Sequence, residues 1–272
     1  MYVKKLICGA TFYGVGEAVT DPEETLVVER NAVLGHEFIE SLNPGTGWGE
    51  RVYSEQGSQF RAELVKRNIL TEDGKVHLPA VYPLLCNVID QTGMKMLFLT
   101  EIIRVEKGND GFYEVTLHNA SGFQTVKAET IVDTTSEGLS YAPENRPIPQ
   151  AKTINAYLFN DQEVTFPERI PEGMTCIQGR FPAEVIGKLQ LDPTDQWAEA
   201  REKLHKFWTA RPQHLQNWTL TSVAGSFDIS ISEEELGKRQ TENWYWAPSC
   251  KHGNLLTSYD SAFQKVKRGT TP

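Results

Sequence analysis

The chain has 272 residues, of which 39% are apolar and 23% are charged, as expected for a globular protein with a sizeable core. The formal net charge of −9 and the isoelectric point near 5.3 argue against a nucleic-acid partner, because a polyanion is bound by a basic surface. No run of about 18 apolar residues is present, so we expect no membrane partner.

Cysteine usage indicates the compartment. The four cysteines are Cys8, Cys86, Cys176 and Cys250. They lie far apart and form no C-x-x-C pair, so we predict a reduced, cytoplasmic protein without a metal site. The apolar segment before Gly9 is too short for a secretion signal, and we expect no leader.

The first 36 residues predict a strand, a tight turn, a short helix and a second strand. An apolar run at 6–8 meets Gly9, a helix opens near Thr11, and a second apolar run at 26–28 ends in Glu29. Glu29 follows Gly9 by 29 − 9 = 20 residues, which is about the spacing of the dinucleotide-binding fingerprint. This order is typical of a βαβ unit that binds a dinucleotide.

One residue departs from that fingerprint. The middle glycine of G-x-G-x-x-G is Thr11 here, and this glycine normally keeps side-chain atoms away from the pyrophosphate. A threonine could point aside or give its hydroxyl to a phosphate oxygen. The stretch alone also suits an ordinary βαβ unit with a glycine-rich turn, so both interpretations stay open.

The middle of the chain predicts two helices and a meander. Residues 58–68 suit a helix capped by Ser58, and a second helix begins near Pro79 and stops at Gly93. The predicted strands that follow are 94–99, 102–105, 112–117, 123–126 and 130–133. They form a three-stranded antiparallel meander that returns the chain to a buried parallel strand.

The second half predicts a mixed region. Strands are predicted at 153–159, 174–179, 218–223 and 227–231, and helices at 194–209, with Asp192 as its cap, and at 254–267. The aromatic run 244–246 either walls a substrate pocket or packs in the core between two domains.

Three stretches, in this order along the chain, resemble the FAD-dependent oxidoreductases of the glutathione-reductase-like class, in the branch that includes fumarate-reductase-like proteins. The first is the βαβ unit with its acid and the following Gly35. The second is the strand around 93–102, similar to a family strand beside the adenine. The third is 131–138, similar to the family's return strand. The likeness covers residues 1–140.

The resemblance implies an α/β fold with a Rossmann-like FAD-binding domain, an inserted antiparallel β-meander and a small mixed α+β substrate domain. Residues 1–140 and 246–272 would form the discontinuous FAD-binding domain, and 141–245 the substrate or cap domain. Because that cap is small, a partner subunit could complete the active site, in a homo- or hetero-oligomer.

The resemblance also implies a set of FAD contacts. Pyrophosphate contacts would be Gly9, Thr11, Gly14 and Gly16. The remaining cofactor contacts would be Glu29 on the ribose, Arg30 and Ile102 at the adenine, Gly35 and His36 in the next loop, and Thr135 and Gly138 closing over the nucleotide. The last helix, beginning at Asn254 and Leu255, would turn its N–H groups toward the flavin, unless it is a simple capped helix.

Three side chains are candidate catalytic residues. In relatives the loop that carries His36 approaches the flavin, so this histidine could attach FAD covalently or transfer a proton; the alternative is a surface or pyrophosphate-contacting histidine. Cys250 and His252 lie on the loop implied to face the flavin and could act as acid and base. The alternative for them is a buried small residue beside an exposed histidine.

The predicted function is an FAD-dependent oxidoreductase that oxidises a small organic substrate by hydride transfer to the flavin. A second hypothesis is a non-catalytic or assembly subunit that keeps the flavoprotein fold and completes a partner's active site. A third, an NAD-binding protein, is disfavoured because the meander and the return strand belong to the FAD pattern.

Overall fold

Two β-sheets organise the computed structural model, which describes residues 1–160, 169–237 and 240–267. The larger sheet contains β1 (Tyr2–Cys8), β2 (Thr25–Val28), β3 (Lys95–Leu97), β4 (Glu101–Lys107), β5 (Tyr113–Asn119), β6 (Gly122–Asp133), β12 (Gln240–Thr241) and β13 (Trp244–Trp246). The smaller sheet contains β7 (Ala151–Phe159), β8 (Met174–Gln178), β9 (Glu184–Leu191), β10 (Thr219–Val223) and β11 (Asp228–Ser230). The helices are α1 (Phe12–Val19), α2 (Glu55–Lys66), α3 (Tyr82–Thr92), α4 (Trp197–Thr209), α5 (Glu233–Gly237) and α6 (Leu255–Lys267).

The centre of the larger sheet is parallel. Its strands lie in the order β3-β2-β1-β6-β13, and each neighbouring pair is parallel. The chain adds β2 and β3 on one side of β1, and β6 and β13 on the other side. Doubly wound nucleotide-binding sheets have the same change of side, and their ligands bind there, at the carboxyl ends of the strands. The predicted βαβ unit and the predicted return strand are therefore confirmed.

Both faces of the parallel sheet are covered. On β1, Ile7 faces a core that includes Phe12 of α1 and Tyr259 of α6. Its neighbour Leu6 faces the opposite core, which includes Val115 of the meander. Because successive side chains of a strand point to opposite faces, a strand buried on both sides needs an unbroken apolar run. This explains the Leu6–Cys8 run in the sequence.

Helices α1 and α6 pack closely at a glycine. A Cβ atom on Gly16 would lie 2.8 Å from the Tyr259 carbonyl oxygen and 2.9 Å from the Ala262 Cβ. The glycine thus sets the distance between the two helices, which together cover one face of the parallel sheet.

The smaller sheet lies beside the larger one. Its strand order is β10-β7-β9-β8, with β11 also paired to β7, and the pairs are antiparallel. Helix α4 packs on it through Ala200 and Leu204. The Asn155 amide of β7 donates to the Ser41 carbonyl at 2.8 Å, which ties this sheet to the loop after β2.

A sheet with parallel strands at its centre and helices packed on it confirms the α/β class. The antiparallel β4-β5-β6 meander is present as predicted. The division into domains at 140 and 246 stays a prediction. β12 precedes the second of these boundaries and β13 spans it, and both strands belong to the larger sheet. Residues 268–272, which belong to the predicted FAD-binding segment, lie outside the described residues.

Several predicted boundaries were wrong. Helix α2 begins at Glu55, because the Ser54 hydroxyl rather than that of Ser58 caps it by accepting from the Gly57 N–H. The predicted strands at 123–126 and 130–133 are one strand, β6, since its first part pairs with β5 and its last part with β1. Strand β9 and the aromatic strand β13 were not predicted.

Helix α4 begins three residues later than predicted. The Asp192 side chain accepts from the Thr194 N–H and forms a local turn instead of a cap. The helix starts after Gln196, whose backbone N–H donates to the Glu199 carboxylate at 2.8 Å. A short side-chain turn therefore replaces the predicted first turn.

We expect Gly16→Val to destabilise the fold by about 2 kcal/mol, because its side chain would push α1 from α6. Urea unfolding followed by circular dichroism measures the change. The matched control is Gly49→Ala, where an added Cβ meets nothing within 4 Å. Equal stability of the two variants would contradict this account of the helix contact.

Candidate functional site

A first cleft opens at the carboxyl ends of the parallel strands. It has a volume of about 190 Å³, and we call it the strand-end cleft. Its lining residues are Cys8, Gly9, Val28, Glu29, Arg30, Thr100, Glu101, Ile102, Thr135, Leu139 and Arg146. Five residues predicted from the sequence meet here: Gly9, Glu29, Arg30, Ile102 and Thr135.

A second cleft lies between the two sheets. This interlayer cleft has a volume of about 490 Å³. Its lining residues are Arg30, Asn31, Val33, His36, Glu37, Glu40, Ser136, Glu137, Gln196, Trp197, Gly225, Ser226, Phe227 and Ile229. Arg30 lines both clefts, and its guanidinium pairs with Glu137 at 2.9 Å. The Trp197 and Phe227 rings meet edge to face, with centroids 5.0 Å apart, and form an aromatic wall.

Gly9 makes the turn at the mouth of the strand-end cleft. Its φ of +98° is a conformation that side chains disfavour, and a Cβ would lie 2.7 Å from Thr135 Cγ2. Its N–H donates to the Val28 carbonyl at 2.8 Å. The glycine therefore joins the ends of β1, β2 and the loop after β6.

Four other predicted glycines line neither cleft. At Gly14 an added Cβ would lie 2.3 Å from the Gly9 carbonyl oxygen, and at Gly16 it would meet α6. At Gly35 it would meet the Phe12 ring, and at Gly138 the Pro147 ring. The structure thus gives these glycines close packing, and their contact with a cofactor stays a prediction.

Thr11 is fully buried and acts inside the protein. Its hydroxyl oxygen accepts from the Gly14 N–H at 2.9 Å and so caps α1. The hydroxyl also donates to Thr134 Oγ1 at 2.7 Å, and Thr134 in turn donates to the carbonyl oxygens of Cys8 and Gly9. Thr11 therefore ties the helix start to the loop after β6, and its contact with a pyrophosphate stays a prediction.

Two further N–H groups at the start of α1 are engaged by buried side chains. The Phe12 N–H donates to Glu37 Oε1 at 2.8 Å, and the Tyr13 N–H donates to Ser249 Oγ at 3.4 Å. The Ser249 hydroxyl donates to the same Glu37 oxygen at 2.5 Å. In dinucleotide-binding proteins the pyrophosphate occupies this helix end. We call the pair of Glu37 and Ser249 the helix-end latch.

Glu29 is nearly fully buried and holds the turn together. Its carboxylate accepts from the backbone N–H groups of Ala10 and Asn31, both at 2.7 Å. His36 Nδ1 lies 3.6 Å from Glu29 Oε2, a distance of an ion pair rather than of a hydrogen bond. Burial acts to raise the pKa of Glu29, but His36 and the two N–H groups outweigh burial and lower it.

His36 lines the interlayer cleft as a cation that is only partly exposed. Burial alone would lower its pKa, but the contact with Glu29 and the charges of Glu37 and Glu137 raise it to about 9. At neutral pH the imidazolium form therefore dominates, and it is paired with Glu29. A group in that state can donate a proton or attract an anion, whereas it is a poor general base.

The partners of Glu37 do not fully offset the cost of burying its carboxylate. Burial raises its pKa, while His36, Ser249 and the Phe12 N–H oppose the shift without cancelling it. Its second oxygen, Oε2, is buried and has no hydrogen-bond partner within the described ranges. A buried oxygen without a donor costs free energy, so this end of α1 is incompletely satisfied.

Asp133 shapes the loop that closes the strand-end cleft. Its carboxylate accepts from the Thr135 N–H at 2.9 Å, from the Thr135 hydroxyl at 2.6 Å and from the Ser140 N–H at 2.7 Å. Burial raises the pKa of Asp133 against these hydrogen bonds. Trp246 Nε1 donates to the Thr135 carbonyl at 2.7 Å, so β13 supports the same loop.

The C-terminal loop does not bring its predicted residues into either cleft. His252 Nε2 lies 2.9 Å from the Ser261 hydroxyl, and its ring stacks on Tyr13. Removal from water raises the pKa of the half-buried Cys250 thiol to about 12, so a thiolate nucleophile is unavailable at neutral pH. Cys250 and His252 line neither the strand-end nor the interlayer cleft, and their roles as acid and base stay predictions.

The last helix is capped by its own side chain. Asn254 Oδ1 accepts from the N–H groups of Leu256 and Thr257 at 3.0 and 2.9 Å. Its amide donates to the Thr46 carbonyl at 2.8 Å, and Leu255 is in the core. The alternative of a simple capped helix therefore describes Asn254 and Leu255 in this structure.

Four residues of the site were not predicted from the sequence: Glu37, Ser249, Thr134 and Asp133. Glu37 carried one signal, since an acid followed by Phe38 and Ile39 in an apolar stretch is unusual unless it is paired. Ser249 lies 212 residues from Glu37, and no local pattern reveals such a contact. The aromatic wall of Trp197 and Phe227 combines two elements that are distant in sequence.

Two classes of site are not found in the described part of the chain. No group of three or more His, Cys, Asp or Glu side chains there could hold a metal ion. Among the described helices, none is long and apolar enough to cross a membrane.

Solved flavoprotein structures have the same fold. The chain is similar to the anhydrotetracycline hydroxylase OxyS from Streptomyces rimosus, with a TM-score of 0.61 and 14% identity over 100% of this chain and 64% of that chain. It is also similar to the flavin-dependent monooxygenase PieE in complex with FAD and substrate, with a TM-score of 0.62 and 13% identity over 99% of this chain and 58% of that chain. A third similar structure is L-alpha-glycerophosphate oxidase from Mycoplasma pneumoniae with FAD bound, with a TM-score of 0.56 and 12% identity over 98% of this chain and 94% of that chain. No family model and no curated protein sequence matches the chain.

These similarities define the class of fold. At such identities they show an α/β flavoprotein fold and nothing finer. The chain spans 63% of aklavinone-11 hydroxylase and a similar share of OxyS and PieE. The narrower resemblance to glutathione-reductase-like and fumarate-reductase-like proteins stays a prediction.

The residues of the strand-end cleft fit one half of FAD. The strand-end cleft offers a glycine turn, an acid and a strand edge at Ile102, which suit an adenosine. The pyrophosphate does not fit at the start of α1 as it stands, because the Phe12 and Tyr13 N–H groups already donate to Glu37 and Ser249. These two N–H groups, which a diphosphate would need as donors, are therefore already hydrogen-bonded within the protein.

The His36 contact predicts a pH-dependent stability. Because the folded pKa of about 9 lies above the ordinary value of 6.5, the charged form stabilises the fold fully below pH 6.5, and this contribution is lost as the pH rises through 9. His36→Gln should therefore cost on the order of 2 kcal/mol at pH 6 and much less at pH 10. Urea unfolding of both proteins at the two pH values measures the difference.

His205→Gln is the control for this experiment, since His205 is exposed on α4. It should change the free energy of unfolding little at either pH. A His36→Gln penalty that is constant or grows toward pH 10 would contradict the ion pair with Glu29.

Proposed function

We propose that the chain is an FAD-dependent oxidoreductase that acts on a small organic molecule. The observation that carries the proposal is the strand-end cleft, where Gly9, Glu29, Arg30, Ile102 and Thr135 converge at the carboxyl ends of the parallel strands. Ligands of open α/β sheets bind at this position. The flavoprotein fold supports FAD as the ligand, and several proteins of this fold have been solved with it.

The interlayer cleft is the proposed place for the substrate. It adjoins the strand-end cleft through Arg30, and its volume of about 490 Å³ is within the range of small-molecule sites. The aromatic wall offers a flat apolar contact, while Glu40, Glu137 and the charged His36 offer polar ones. Two points remain predictions, namely that the substrate is a small organic molecule and that hydride passes from it to the flavin.

A specific observation favours a second candidate. The helix-end latch fills the pyrophosphate position, as expected for a subunit that keeps the flavoprotein fold without a catalytic flavin. Such a protein would serve as a non-catalytic or assembly subunit in a complex. The two candidates differ in one measurable property, which is uptake of FAD by the purified protein.

Ile102→Trp should weaken FAD binding at least tenfold. The indole would fill much of the strand-end cleft, where Ile102 forms part of the wall. Titration of the apoprotein with FAD, followed by flavin fluorescence, measures the affinity of wild type and variant.

Ile103→Trp is the matched control, because the next side chain along β4 is 51% exposed and lines neither cleft. It should bind FAD like wild type. Equal affinity of the two variants would remove the strand-end cleft as the FAD site. A wild-type protein that takes up no FAD at millimolar concentration would favour the non-catalytic subunit.

A further inference from the structure

We infer that the Glu37 side chain competes with the pyrophosphate of FAD for the start of α1, so that a diphosphate binds only when the helix-end latch opens. The inference rests on the proposed function, since it concerns how that same site is loaded. It is carried by the start of α1, where N–H groups that a pyrophosphate would use already donate to side chains.

The latch uses the same donors that a diphosphate would use. Glu37 Oε1 accepts from the Phe12 N–H at 2.8 Å and from the Ser249 hydroxyl at 2.5 Å. The Tyr13 N–H donates to the Ser249 oxygen at 3.4 Å. Because each N–H has one proton to donate, a phosphate oxygen can bind to these groups only when the side chains leave.

Ser249 is held by its own neighbours. Its hydroxyl lies 2.6 Å from the Ser258 hydroxyl of α6, and its backbone N–H donates to the Thr134 carbonyl at 2.9 Å. On the other side, the Gly35 N–H donates to the Ala10 carbonyl at 2.8 Å and keeps the Glu37 segment against the turn. The latch thus joins three separate segments of the chain at one helix end.

The closed latch is nevertheless incomplete. Glu37 is 3% exposed, yet its Oε2 atom has no hydrogen-bond partner among the described residues. The same residue lines the interlayer cleft, which has a volume of about 490 Å³. The side chain therefore has an unsatisfied atom in the closed position and adjoining space into which it can turn.

Charge makes the competition specific for phosphate. A carboxylate and a diphosphate repel each other and cannot share one helix end, whereas adenosine is neutral and lies in the strand-end cleft. Opening the latch should therefore strengthen the binding of ADP and FAD and leave adenosine binding unchanged.

The test compares Glu37→Gln and Glu37→Ala with wild type, using adenosine, ADP and FAD in titration calorimetry. Glu37→Ala should bind ADP and FAD at least tenfold more tightly than wild type, which corresponds to about 1.4 kcal/mol. Glu37→Gln should also bind them more tightly than wild type but gain less, because it loses the charge and keeps an acceptor for the Phe12 N–H. Adenosine affinity should stay within about twofold. The control is Glu23→Gln, which removes an equal charge at an exposed residue outside both clefts and should match wild type.

A second readout needs no ligand. Amide exchange of Phe12 should speed up at least tenfold in Glu37→Ala, because its acceptor is gone, and should remain slow in Glu37→Gln, which keeps an acceptor. Glu37→Gln also covers the case in which the alanine variant fails to fold.

The outcomes separate the two proposals. If adenosine binds to all proteins and the Glu37 variants gain no affinity for ADP, the competition is overturned while the cleft assignment stands. If adenosine binds to none of them, the proposed function fails. In that case the exchange rate of Phe12 still decides the latch, and an unchanged rate in Glu37→Ala overturns it.

Discussion

The structure depends on which acceptors bind the backbone N–H groups at the buried start of α1. A helix begins with N–H groups that have no partner inside the helix, and burying them without acceptors is costly. Here Thr11, Glu37 and Ser249 supply the acceptors, and Glu29 does the same for the preceding turn. These four side chains come from the helix cap, the end of β2, the following loop and the C-terminal loop. Satisfying one helix end therefore joins four segments of the chain around the larger sheet.

This arrangement changes the meaning of Thr11. In the sequence it is a departure from a glycine fingerprint, and it raises the question of whether a phosphate is still accommodated. In the structure the hydroxyl caps α1 and reaches Thr134, so the residue has a clear role without any ligand. The residue that bears on cofactor binding is Glu37, whose charge lies at the helix end itself.

The sequence predicts what depends on local pattern. The βαβ unit, the meander and the return strand were all predictable, because alternation, turn glycines and a 20-residue spacing are local signals. The strand-end cleft followed from them, since parallel strands end at one edge. Contacts such as Glu37 with Ser249 were not predictable, because they join residues 212 apart through tertiary packing. Strand β13 was missed for a related reason, since its three aromatic residues suit a strand, a core or a pocket equally well.

Strand β6 couples the two halves of the larger sheet. Its residues 122–128 pair antiparallel with β5, and its residues 127–133 pair parallel with β1. Lys127 and Ala128 belong to both ladders. Because the two ladders share these residues, we expect the meander and the parallel strands to open as one cooperative unit, with the amides in the middle of β6 among the last to exchange.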